Sequence, residues 1–265
     1  MAERTSRRQS TLVREAAIPA LAIIGLAVLW EVLVRAFKVP EFLLPAPSAI
    51  AAESWAVAGN LGMHSLATLR TVLLGFLLSV LISLPVALAI TSSPAVGNAI
   101  YPLLVLTQSI PKVALAPLLV VILGANELPR VVVTFLVAFF PLVISISTGL
   151  LAVPAELLEL GRVCKANWRQ ELTRIRLPYA VPFIFSGFKV AITLCVVGAV
   201  VAEFVNADKG LGYLIVTSTA FFKVPLAFGA VIMLSLMGIV LFQLVVMLER
   251  WLFPWSAKGT SRDAH

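Results

Sequence analysis

Six long apolar runs separated by short polar segments leave this chain few folds to choose from. A helix that crosses a bilayer's hydrocarbon core needs roughly 20 mostly apolar residues. Runs of that length fall at about 16–37, 66–90, 98–124, 131–153, 179–202 and 225–251. Of the 265 residues, 60% are hydrophobic and only 12% are charged, whereas a soluble domain carries roughly a quarter charged residues. That is too little charge to coat a water-facing globule. The expected fold is an all-α integral membrane protein: one six-span domain over 16–251, with polar tails at 1–15 and 252–265.

The first run follows Arg4, Arg7, Arg8 and Arg14, as a cleaved signal would. Its apolar stretch continues past Trp30 to Phe37, so it reads as a retained span. The third run carries Pro102, Pro111 and Pro117, which are expected to break it. Two apolar stretches are too short to span. Glu41–Trp55, with Leu44-Pro-Ala-Pro-Ser48, reads as an outer loop followed by a short interfacial helix with Ser48 as its N-cap. Gly210–Phe222 has the length of a re-entrant or interfacial segment, and Thr217-Ser-Thr219 within it is a candidate outer gate.

The basic residues set the orientation. Four Arg lie in the N-terminal tail, five cations (Arg162, Lys165, Arg169, Arg174, Arg176) between spans four and five, and three (Arg250, Lys258, Arg262) at the C-terminus. Together these are twelve of the twenty. Four spans separate the first group from the second and two separate the second from the third, so all three share one face. By the positive-inside rule that face is cytoplasmic, as are both termini. The net charge of +7 is thereby explained, and nucleic-acid binding is not implied. Cys164 and Cys195 form no disulfide framework, and the two histidines, His64 and His265, have no partners at metal-ligand spacing, so no metal site is expected.

Between spans four and five lies a polar insert, 154–178. Its stretch Glu156–Pro178 carries five basic and three acidic side chains. Pro154 precedes a run of good helix formers. Trp168, Leu172 and Ile175 fall on one face of a second helix, which Leu177-Pro178 is expected to end. The insert is thus a helical hairpin with an apolar ridge and a cationic flank. By physics alone, it could lie on anionic lipid or grip a soluble partner.

Ile175-Arg-Leu-Pro178, with Glu159 placed as in Glu-Ala-Ala…Gly…Ile-x-Leu-Pro, resembles the EAA loop of binding-protein-dependent ABC importer permeases. Arg162, Ala166 and Trp168 match the nitrate/sulfonate/taurine branch. So do Leu44-Pro-Ala-Pro-Ser-Ala-Ile50, Gln108-Ser-Ile-Pro111 and Gly210-Leu-Gly-Tyr-Leu-Ile215. Leu160 and Gly161 replace the family's two alanines, and Lys165 replaces its glycine. If that glycine serves a left-handed turn, Lys165 must adopt the same conformation at about 1–2 kcal/mol, or the turn differs here.

The resemblance implies a type I importer permease whose insert is a coupling helix, with Glu159, Gly161, Arg162, Lys165, Ala166, Trp168, Leu177 and Pro178 at the ATPase contact. It also implies two copies of a separate ATPase that hold ATP and Mg²⁺, a permease homodimer embedded in membrane lipid, and a periplasmic solute-binding protein. The chain contains no Gly-x-x-x-x-Gly-Lys-Ser/Thr loop of its own, so it is expected to carry no cofactor and not to be an enzyme. Its solute would be of the nitrate, sulfonate or taurine kind, or a heterocyclic vitamin precursor.

Lys112 and Lys189 lie inside spans three and five, where a charge is expensive. Either they line the solute path with Gln108 and Ser109, beside a backbone opened by Pro111, or they snorkel or pair with a carboxylate such as Glu203. The alternatives to a permease are an intramembrane enzyme or a structural membrane subunit. An enzyme would need converging catalytic groups, but His64 reads as a lone histidine, Glu203 as solitary, and no Gly-x-Ser-x-Gly or His-Glu-x-x-His pattern appears.

Overall fold

The computed structural model describes residue 18 and residues 21–256. Arg4, Arg7, Arg8, Arg14, Lys258 and Arg262 lie outside the described residues, as does the start of the first run. All regular structure among the described residues is helical. Helix α1 is described over 21–36. It is followed by α2 (Pro47–Ala56), α3 (Ala58–Ser92), α4 (Pro94–Gln108), a 3-10 turn (Lys112–Leu115), α5 (Ala116–Leu123) and α6 (Leu128–Leu151). Then come α7 (Ala155–Val163), α8 (Trp168–Glu171), a π-helical turn (Leu172–Arg176), α9 (Leu177–Val205), α10 (Leu211–Ala220) and α11 (Val224–Leu252).

Among the described residues, four helices are long and apolar enough to cross a membrane: α3, α6, the continuous helix Trp168–Val205, and α11. A fifth candidate is the pair Ala95–Gln108 and Lys112–Leu123, bent by 80°. The bend falls at Pro111, as the sequence predicts. Pro102 stays inside α4 without breaking it, and Pro117 sits in the first turn of α5, where its missing N–H has no partner to lose.

The expected stop at Leu177-Pro178 does not occur. Pro178 cannot donate to the carbonyl four residues back, and the chain absorbs this by widening to a π-turn, with the Leu177 N–H reaching Leu172 O. A helix can then run through the proline, because i→i+5 bonding moves the unpaired carbonyl out of the ladder. Ser48 corrects a second expectation. Ala46 is the N-cap of α2 and makes no side-chain cap bond. Ser48 instead donates its N–H to Glu31 Oε2 (3.0 Å) and its hydroxyl to Glu31 Oε1 (2.7 Å), with Arg35 bridging both side chains. A carboxylate from α1 thus satisfies the first turn of α2 and complements its dipole.

The described residues form two compact units, one up to residue 61 with 215–231, the other comprising 62–214 with 232–256. In the first, the Trp30 and Phe228 rings lie 6.0 Å apart. The core of the second comes from Val72, Ala87 and Ile90 of α3, Leu142, Ile146 and Leu150 of α6, Ala191, Ile192 and Cys195 of α9, and Leu241 and Val245 of α11. Lipid offers no hydrophobic gain for helix association, so close packing of small residues and inter-helix hydrogen bonds must supply it. Ser79 Oγ and Ser83 Oγ of α3 donate to the carbonyls of Phe135 and Phe139 on α6, each at 3.3 Å. Gly149 lets α6 and α9 touch: a Cβ there would meet Phe183 Cβ at 2.5 Å. Gly149→Val is expected to cost about 1–3 kcal/mol through overpacking. Thermal unfolding in detergent should show the lowered midpoint.

Candidate functional site

The polar insert folds into a compact hairpin by two end devices. Helix α7 closes with the Ala166 N–H on Gly161 O (2.9 Å) and the Lys165 N–H on Arg162 O (2.9 Å), the two bonds of a Schellman motif. That motif needs a left-handed residue, and Lys165 supplies it with φ 52°. Of the two expected alternatives, Lys165 thus adopts the left-handed conformation itself, with the strain of a side chain there. Asn167 then caps α8 with a capping box: its Oδ1 accepts from Gln170 N (2.9 Å), and Gln170 Oε1 accepts from Asn167 N (2.9 Å).

Gly161 is buried, and a Cβ on it would meet Ile175 Cδ1 at 2.9 Å. Its smallness serves the closure of the hairpin on itself. Glu159, Arg162, Lys165 and Trp168 are exposed, Ala166 and Leu177 are half-buried, and Pro178 is exposed. The sequence-predicted docking residues thus converge on one hairpin, with Leu177 and Pro178 at its exit. Leu157, Leu160 and Val163 of α7 add an apolar surface that stands free; Val163 is 80% exposed. Between α7 and the π-turn runs a groove of about 310 Å³ whose lining includes Leu157, Leu160, Arg174 and Ile175. Arg176, read in the sequence only as one of the insert's cations, is an anchor. It pairs with Glu171 (2.7 Å) and donates to Leu150 O (3.2 Å), tying the π-turn to the last carbonyls of α6.

The candidate path residues do not stay together. Gln108 and Ser109 are exposed at the 80° bend. Lys112 stands beside them, with Nζ 3.4 Å from Gln108 O and 5.0 Å from the centre of the Phe140 ring. Among the described residues no carboxylate pairs with Lys112. Lys189 does have one, and it is Glu249 of α11 rather than Glu203: Nζ to Oε2 is 2.6 Å, and Glu249 Oε1 also accepts from Ser256 Oγ at 3.0 Å. The Lys189 ammonium is therefore engaged in a mostly buried ion pair.

His64 and Glu203, isolated in the sequence, meet around Gly210–Gly212. Gly210 N donates to His64 Nδ1 (3.0 Å), Leu211 N to Thr68 Oγ1 (2.8 Å) and Gly212 N to Glu203 Oε2 (2.8 Å), while Thr68 Oγ1 donates to Glu203 Oε2 (3.0 Å). Gly210 has φ 123°, and any Cβ there would strike the Glu203 carboxylate. Among the described residues, no three His, Cys, Asp or Glu side chains group as metal ligands.

A bent pair of apolar helices and a helical hairpin with exposed charged and apolar side chains do not by themselves name an activity, and sequence comparison decides the family. The family described as "binding-protein-dependent transport system inner membrane component" matches residues 75–255. The chain belongs to this family. It is an inner-membrane permease component of a binding-protein-dependent transport system. The formylaminopyrimidine transport permease protein ThiX of Halalkalibacterium halodurans is 34% identical to it over 91% of this chain and 96% of its own. The riboflavin transport system permease protein RibX of Chloroflexus aurantiacus is 36% identical over 88% and 87%. In fold, the permease matches a chain of the MetNI methionine ABC transporter in an inward-facing conformation, with a TM-score of 0.66 over 74% of this chain and 97% of that one, at 18% identity.

Two stability measurements probe these geometries. Lys165→Gly is expected to raise the thermal midpoint, recovering about 1 kcal/mol of left-handed strain, and Lys165→Val to lower it. Lys189→Ala leaves Glu249 buried without its partner and is expected to cost about 3 kcal/mol. The double change Lys189→Met with Glu249→Gln should recover most of that loss, which unfolding of the detergent-solubilised permease would register.

Proposed function

We propose that this permease forms the solute pathway of an ATP-driven importer, with its α7–α8 hairpin as the docking element for a separate ATPase. The carrying observation is the hairpin. It presents exposed Leu160, Val163 and Trp168 with Glu159, Arg162 and Lys165 among them, at one end of a set of apolar helices. Exposed aromatic and apolar side chains with a charged rim are what a protein partner buries. The excess of cations in this insert supports a cytoplasmic placement, where ATP and Mg²⁺ are held by the ATPase.

In this reading two copies of the permease pair with two ATPase subunits, and a periplasmic solute-binding protein delivers the solute to the opposite face. Leu177 and Pro178 join the docking hairpin to α9 through the π-turn, and Gly161 and Ala166 shape it from within. The pathway residues are Gln108, Ser109 and Lys112 at the helix bend. Lys189 contributes to the pathway only if its pair with Glu249 opens. The solute is a small heterocycle of the vitamin-precursor kind. The names of the ThiX and RibX relatives support this, as does an ammonium beside the Phe140 ring, a pairing suited to a planar ring rich in acceptor atoms.

Trp168→Ala and Glu159→Lys isolate the docking contact, whereas a larger side chain at Gly161 would also disturb Ile175. Both variants are expected to reach the membrane in wild-type amounts. ATPase co-purification and riboflavin or formylaminopyrimidine uptake into proteoliposomes should each fall at least tenfold. Wild-type binding and uptake in both variants would remove the hairpin from the contact. Uptake of methanesulfonate in place of either heterocycle would reassign the solute class.

A further inference from the structure

Residues Trp168–Val205 form one continuous 38-residue helix. At about 1.5 Å per residue, its docking end and its Glu203 end are roughly 50 Å apart on a single element. The end remote from the hairpin has an unusual linkage. The first N–H groups of a helix have no acceptor within it. At the start of α10, those of Leu211 and Gly212, together with that of Gly210, are taken by side chains of two other helices: His64 and Thr68 of α3, and Glu203 of α9. His64, Thr68 and Glu203 are 5%, 0% and 2% exposed. Thr68 Oγ1 sits at the centre, accepting from Leu211 N and donating to Glu203 Oε2. The Tyr213 ring stacks on His64 at 5.8 Å. Neither the docking surface nor the pathway uses these three residues, and a buried carboxylate is a costly way to cap a helix.

We propose that His64, Thr68 and Glu203 are positioning residues of the transport cycle, latching the turn 206–210 and the start of α10 to α3 and α9. Glu203 is the moving member, because it alone rides on the helix that carries Trp168. Hydrogen bonds fail within about 1 Å of lengthening. A rigid-body shift of α9 driven from the docking end therefore breaks Gly212 N–Glu203 and Thr68–Glu203 together, and the start of α10, left without its α9 anchor, parts from Thr68 and opens Leu211. The latch converts a small helix movement into a two-state release. The inference rests on the docking role proposed above for the hairpin.

The test needs no knowledge of the solute. A Leu211→Cys permease, with Cys164→Ser and Cys195→Ala, is assembled with its ATPase and binding protein. It is then labelled with a membrane-impermeant maleimide from the face opposite the hairpin. Leu211 is 0% exposed, so labelling at rest should be slow, and at least tenfold faster during ATP turnover. Thr68→Val should bring the resting rate up to the turnover rate, and Thr68→Ser, which keeps the hydroxyl, should return it to the slow value. Glu203→Gln keeps the volume but weakens both bonds, and should raise the resting rate at least threefold; it carries the test if Thr68→Val fails to fold. An unchanged resting rate in the folded variants, or labelling indifferent to ATP while the bound ATPase turns over, overturns the latch alone. An ATPase that does not bind the wild-type permease overturns the docking reading instead.

Discussion

Pairing every backbone N–H and C=O without the help of water is the constraint on which the rest of this structure depends. In hydrocarbon an unpaired group costs several kcal/mol, so each helix end and each break must be closed by the protein itself. The chain does this in three ways. Carboxylates or hydroxyls from distant segments cap helix starts, as Glu31 does for Ser48, and Thr68 and Glu203 do for Leu211 and Gly212. Left-handed residues close helix ends. Where proline removes a donor, the ladder widens or bends. The regions proposed to act in transport lie at these repairs: the proposed docking hairpin at a Schellman turn, the proposed pathway at a proline bend, and the proposed latch at a cross-capped helix start.

Lys165 shows how such a repair can hide. The Schellman turn it forms recurs at Lys38 and Phe222, with φ of 48° and 57° and the same paired backbone bonds. None of the three carries the glycine by which such ends are recognised. The turn is held by its hydrogen bonds and its surroundings, which outweigh the local strain of a side chain in the left-handed region.

Charges inside the apolar segments divide the same way. Lys112 and Lys189 look equivalent along the chain, since each is a cation within a hydrophobic run. Their difference comes from α11, which brings Glu249 to Lys189, whereas Lys112 meets only a carbonyl and a ring face. Glu249 is 60 residues further along the chain from Lys189, and no local pattern marks it. Glu203 was legible only as an isolated acid, because its partners sit 135 residues earlier in α3 and just beyond a glycine turn.

What the sequence determined by itself was everything that depends on composition and local period. That covers the membrane class, the apolar helices, the placement of basic residues, the polar insert and its family pattern. These follow from transfer free energies and residue spacing, which are properties of short stretches. Only the tertiary structure decided how Pro178 is absorbed into a continuous helix, which carboxylate neutralises Lys189, and that Gly161 closes the hairpin on itself. It alone showed that His64, Thr68 and Glu203 converge on one turn. Each of these depends on atoms brought within hydrogen-bond or van der Waals reach by helices distant in the chain, and no local period encodes that proximity.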